Sequence, residues 1–164
     1  MSTPAQTASA FRAGMRRLRA AVAAIPEDRR DQVALGQWTP KELLAHIAAW
    51  DRALGWGLDE LLAGRRPALF DEDEQAFNVR AVHAWRGKSW HAVEAELEAA
   101  HASLMSRLDS LSNDQWRGGL GERWADGTSL TVGSRLGYRY RGQTHYDGHA
   151  EEIEAGFDKD SGLR

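Results

Sequence analysis

The stretch that decides the fold is Thr144 to Ile153, T-H-Y-D-G-H-A-E-E-I. His145 and His149 stand four residues apart in a segment that otherwise reads as helix. Positions i and i+4 share one helix face, a turn apart, so the two imidazoles can aim ring nitrogens at one point beside the helix. A catalytic metal site usually takes three protein ligands and keeps a position open. The third donor must therefore come from elsewhere, and His46, inside K-E-L-L-A-H-I-A-A-W, is the one expected. The chain then has to fold so that a helix in its first half lies against its last one.

Working outward, the last helix is expected from about Thr131 to Phe157, with Leu136, Tyr140, His149, Ile153 and Phe157 near one face. It carries Gly133, Gly137, Gly142 and Gly148, a poor composition for an isolated helix, so packing must hold it. Gly148, just before His149, reads as a place where a neighbouring helix or a ligand can approach closely. Before it, Arg117 to Gly127 is Gly-rich, contains Trp124 and reads as a long loop, either a lid or a plain connector. Ser112 to Gln115 is a capping box leading into a short turn through Trp116. Ser89 caps a longer helix to about Ser110, striped by Val93, Leu97, Ala100, Leu104 and Leu108. A short helix is expected from Gln75 to Arg86, after a connection over 65–74.

The clearest start signal lies further upstream. Thr39 suits an N-cap, Pro40 the first helical position, and Glu42 completes the box. Leu43, Ile47, Trp50, Leu54, Leu58 and Leu61 follow as a stripe, with Gly64 as terminator. The first helix reads from Thr7 or Ser9 to Ile25, after a loose start over 1–6. No segment has strand period. The expected architecture is all-α: a four-helix bundle with a short extra helix and a Gly- and Trp-containing loop before the last helix. The tail over 158–164 reads as frayed.

At 164 residues the chain has the size of one domain with one core. Cysteine is absent, which removes disulfides, thiolate nucleophiles and Cys-ligated zinc, so any metal must be held by His and carboxylate. A formal charge of −3 gives no basic footprint for nucleic acid. No apolar run approaches a membrane span and no signal-peptide core is visible, so a cytoplasmic protein without a membrane partner is expected. Seven Trp residues are many, and most are expected to pack the core.

The blocks G-Q-W-T-P-K-E-L-L-A-H-I-A-A-W-D-R, Gly36 to Arg52, and T-H-Y-D-G-H-A-E-E-I carry a resemblance. With weaker support from Phe77 to Arg80 and His101 to Leu104, the chain resembles the DinB/YfiT-like four-helix bundles, and within them the ClbS/DfsB-type family. The resemblance implies an up-down-down-up bundle with a metal held by His46, His145 and His149. It also implies a thiol S-transferase or metal-dependent hydrolase, or a ClbS-like protein that protects its host by opening an electrophilic cyclopropane with water. Because that branch does not always keep the three histidines, a metal-free reaction stays open.

Three neutral imidazoles suit Zn²⁺ or Ni²⁺ and leave room for water, whose pKa falls toward about 7 on zinc, or for a low-molecular-weight thiol cosubstrate. A zincin would place Glu after the first His, where this chain has Tyr146, which argues against peptide hydrolysis. Glu152 is either an acceptor for an imidazole N–H or a surface ion-pair partner. Trp50, Trp56 and Tyr146 are pocket candidates, with core packing as the competing role for the tryptophans; His101 is the alternative ligand. Three functions follow. The first is a metal-dependent hydrolase or transferase for a small electrophile. The others are a metal-independent protective protein and a non-catalytic bundle, with homodimerisation compatible with each.

Overall fold

The computed structural model describes residues 2–33, 36–123, 127–136 and 143–158. Helix α1 spans Pro4–Ala23 and starts earlier than expected. Thr3 and Gln6 form a reciprocal capping box, with Pro4 at the first helical position, so most of the supposedly loose start is ordered by its own side chains. Helix α2, Pro40–Leu62, begins with the Thr39–Glu42 box read from the sequence. It ends at Gly64, whose φ of 71° is left-handed backbone that suits glycine. Helices α3, Glu74–Trp85, and α4, Trp90–Ser110, are capped by Asp73 and Ser89, and α5, Asn113–Arg117, by the Ser112–Gln115 box.

The segment before the last helix departs from expectation. The Gly-rich stretch contains an antiparallel hairpin, β1 Gly119–Arg123 and β2 Ser129–Thr131, with Gly119 opposite Thr131 and Arg123 opposite Ser129. Its strands are short, and β1 carries Gly119 and Gly121, so no alternating pattern long enough to read marks them. The expected helix from Thr131 to Phe157 is not continuous. Helix α6 covers only Val132–Leu136, and α7 runs His145–Asp158. Two local caps explain the division. Thr131 and Ser134 exchange backbone-to-side-chain hydrogen bonds at the start of α6. Thr144 and Asp147 do the same at the start of α7. Trp124, Tyr140, Gly137, Gly142 and the tail beyond 158 lie outside the described residues.

The long helices α1, α2, α4 and α7 enclose one core of Met15, Leu18, Leu43, Leu44, Ile47, Leu58, Val93, Leu104, Leu108 and Ile153, all at most 1% exposed. Burying each Leu or Ile contributes roughly 1.5–3 kcal/mol. Two pairings dominate, α2 with α4 and α1 with α7, while α2 and α7 meet over a smaller area. Gly14 lets α1 approach the start of α7: a Cβ there would lie 2.4 Å from Thr144 Oγ1 and 3.2 Å from Tyr146 Cβ. Hence α7 sits with its first turn beside α2, where His46 projects.

Candidate metal centre

His46 follows the first turn of α2, among Leu43, Ile47 and Trp50, and is only 5% exposed. His145 is the first residue of α7, and His149 is one turn later. Their ring nitrogens meet. His46 Nε2 lies 3.1 Å from His145 Nε2, which lies 2.8 Å from His149 Nε2. One ligand atom from each ring falls within 4.8 Å of the others.

The tautomers follow from what stands behind each ring. His149 Nδ1 is 2.8 Å from Glu152 Oε2, and a carboxylate only accepts, so Nδ1 carries the proton and the Nε2 lone pair faces His145. The bond to His149 in turn holds the Glu152 carboxyl below its ordinary range. Burial, and then the neighbouring His149, lower the His46 pKa to about 3, against weaker opposing effects of Asn78 and Glu152. The surrounding protein, then His149 and His46, hold His145 well below its ordinary value, although part of the residue still faces solvent. His46 and His145 are thus neutral rings near pH 7. Lone pairs crowded in this way repel unless a proton or a cation lies between them.

Trp38 covers His46, ring centroids 4.8 Å apart, and Trp50 stands at 6.4 Å. Trp50 Nε1 donates to Asn78 Oδ1 at 2.9 Å, and its ring lies 4.5 Å from Phe77. His46 Nδ1 is buried with no partner in hydrogen-bonding geometry; Asn78 is near, but its oxygen is already engaged by Trp50. A cavity of about 440 Å³ opens beside the cluster, lined by Glu74, Gln143, Thr144, His145, His149 and Glu152, with Gly148 among them. A Cβ on Gly148 would touch nothing, so this glycine accommodates no neighbouring helix and instead borders open space.

Two of the candidate pocket residues lie elsewhere. Trp56 is 64% exposed and lines a larger cavity of about 700 Å³ between α2 and α3, which none of the three histidines borders. Tyr146 turns inward, because the residue after His145 points off the face of α7 that carries the two histidines. Its hydroxyl donates to Asp51, 2.8 Å from each carboxylate oxygen, and stands 2.9 Å from His101 Nδ1. That contact gives His101 a core partner, and it is not part of the ligand cluster. His83 and His91 are exposed. Sequence reasoning did not single out Trp38, Asn78 or Asp51 as neighbours of the site. The only signal available was their presence in the quoted blocks around Trp38 to Asp51 and Phe77 to Arg80.

The DinB superfamily model matches residues 10–153. The chain belongs to the DinB superfamily. The sequence matches no curated protein. Among solved structures, this DinB chain is similar to an uncharacterised protein from Escherichia coli UTI89, with TM-score 0.77 and 12% identity over 98% of this chain and 96% of that one. It is also similar to the colibactin self-resistance protein ClbS, crystallised in complex with a dsDNA, with TM-score 0.75 and 13% identity over 95% and 96%. A Streptococcus pneumoniae protein gives TM-score 0.71 and 17% identity over 94% and 90%. At these identities the likeness is one of fold. Among the described residues no helix is long and apolar enough to cross a membrane.

Proposed function

We propose that His46, His145 and His149 hold a divalent zinc or nickel ion, and that the protein is a hydrolase or thiol S-transferase acting on a small electrophilic molecule. The observation that carries this is the convergence of three imidazole Nε2 atoms beside a cavity. Three nitrogens on one tetrahedral zinc stand about 3.3 Å apart, given Zn–N bonds of about 2.0–2.1 Å. The observed separations of 3.1 and 2.8 Å are close to that spacing. An all-nitrogen donor set suits zinc or nickel better than magnesium or calcium, which prefer oxygen.

The ion supplies Lewis acidity, which makes a weak nucleophile such as water or a thiol available at neutral pH. The chain's own residues prepare for that. Burial keeps His46 neutral and ready to donate its lone pair. Glu152 fixes the His149 tautomer and orients the ring. Trp38 screens the rear of His46, and the cavity leaves a guest access from the side of Gln143 and Glu74. A small molecule rather than nucleic acid is the proposed partner. The formal charge is −3, and Arg17, Arg19, Arg52, Arg65 and Arg107 are already engaged by carboxylates.

The test is elemental analysis of the purified protein, with zinc and nickel titrations of the metal-stripped form. Hydrolysis and thiol conjugation would be assayed on a panel of epoxides and activated aryl halides. One ion per chain, lost in His46→Ala and His145→Ala together with turnover, is expected. Turnover that survives complete metal removal would overturn the reading in favour of a metal-independent protective protein of the ClbS kind. Absence of both metal and turnover would leave a non-catalytic bundle.

A further inference from the structure

Beneath the three histidines lies a second polar cluster, wholly inside the core. Asp51 is 3% exposed, Tyr146 1% and His101 7%. Tyr146 Oη sits between the other two, donating to Asp51 and accepting from His101 Nδ1. His101 Nδ1 is 3.9 Å from Asp51, too far for a direct hydrogen bond, so the tyrosine oxygen is the necessary link. A buried carboxylate, hydroxyl and imidazole are costly in a bundle core unless they satisfy one another, and then they favour one arrangement over its neighbours.

Their placement shows which arrangement. Asp51 lies on α2 little more than a turn after His46, Tyr146 is covalently next to His145, and His101 belongs to α4. The bundle is held chiefly as two pairs, α2 with α4 and α1 with α7. The histidine cluster straddles the seam between those pairs, with one donor on α2 and two on α7. Apolar packing tolerates small sliding along such a seam. A hydrogen bond of 2.8 Å across it does not.

We propose that Asp51, Tyr146 and His101 form a positioning network that sets α7 against α2, and so fixes His145 and His149 at coordinating distance from His46. The inference rests on the metal reading above and assigns these residues no contact with substrate. Phe11 meets the Tyr146 ring edge-on at 5.7 Å, so the aromatic body stays anchored when the hydroxyl is removed. Tyr146→Phe therefore isolates the hydrogen bonds.

The experiment is competition of zinc, and separately nickel, between the full-length protein and a chromophoric chelator, with helicity and melting temperature recorded for every variant. Tyr146→Phe is expected to fold and to lose tenfold or more in metal affinity. Asp51→Asn, which keeps an acceptor for the hydroxyl, is expected to stay within about threefold of wild type. Val93→Ala, a core truncation on α4 away from the cluster, controls for stability alone: its melting temperature should fall while affinity holds. If Tyr146→Phe does not fold, His101→Leu against His101→Asn asks the same question, with the loss expected only in the leucine variant. Wild-type affinity in folded Tyr146→Phe, or in His101→Leu where that pair is used, overturns the positioning role and leaves the metal site standing. Failure of wild type to bind either metal overturns both.

Discussion

A methyl group built onto Gly14 meets Thr144 Oγ1 at 2.4 Å and Asp147 Oδ1 at 3.4 Å, whereas one built onto Gly148 meets nothing. Thr144 cannot yield easily, since its hydroxyl and backbone are tied to Asp147. Gly14→Ala should therefore destabilise by about 1–2 kcal/mol, the overpacking cost exceeding the helix-propensity gain of up to about 1 kcal/mol. Gly148→Ala should stabilise by about 0.5–1 kcal/mol, because only the propensity gain remains. Urea denaturation of the two variants checks the opposite signs; a shared sign would contradict the close approach of α1 to α7. Nothing in the sequence separates these glycines, as each interrupts an otherwise helical run. The histidines are different: their spacing, and the block around His46, made their meeting legible. Asp51, Asn78 and His101 were not legible as a group, because a polar residue near an apolar stripe does not reveal what faces it across the core.

The sequence reads as one last helix, whereas the described residues form two, α6 and α7. Periodicity alone joins Leu136 to Ile153, and Gly133, Gly137 and Gly142 weaken that reading without placing a break. The break was nonetheless written locally, in Thr144-x-x-Asp147, a capping signature that the histidine spacing overshadowed. The cap starts α7 at His145 and so decides which turn presents the two rings. Thr144→Ala removes the acceptor for the Asp147 N–H and leaves buried groups poorly paired. It is expected to cost about 0.5–2 kcal/mol, while Thr144→Ser should recover most of that. The same pair should separate in zinc affinity, alanine weaker than serine. Equal affinities would mean that this cap does not set the position of α7. The hairpin was the least legible element, since β1, bearing Gly119 and Gly121, has little β-propensity and β2 is only three residues long.

For the molecule as a whole, the ion proposed for His46, His145 and His149 should, when bound, add stability through mass action, about 2.7 kcal/mol at a free metal concentration of 100 times Kd. In a domain of this size that corresponds to a rise in melting temperature of roughly 5–10 °C, reversed by chelator. The metal-free protein has a pH dependence of its own. His46 is lowered from 6.5 to about 3 and His101 is also lowered, each chiefly by burial, while His145 is lowered by the surrounding protein and the two neighbouring rings. Their contribution is complete above the unfolded value and is lost as pH falls from about 6.5, because the unfolded chain takes up protons that the folded one refuses. Asp51 acts in the opposite sense. Burial raises it from 3.8 to about 7, against the Tyr146 bond and the Arg52 charge, so its contribution is present below 3.8 and disappears as pH rises through about 7. Between pH 4 and 6.5 three histidines oppose one carboxyl, so stability falls on acidification. Asp51→Asn removes the opposing group and should steepen that fall. Calorimetry in chelator at half-unit pH steps reads both slopes. If the two proteins ran parallel, Asp51 would be titrating as it does in the unfolded chain, and burial would not outweigh the Tyr146 hydrogen bond at this carboxyl.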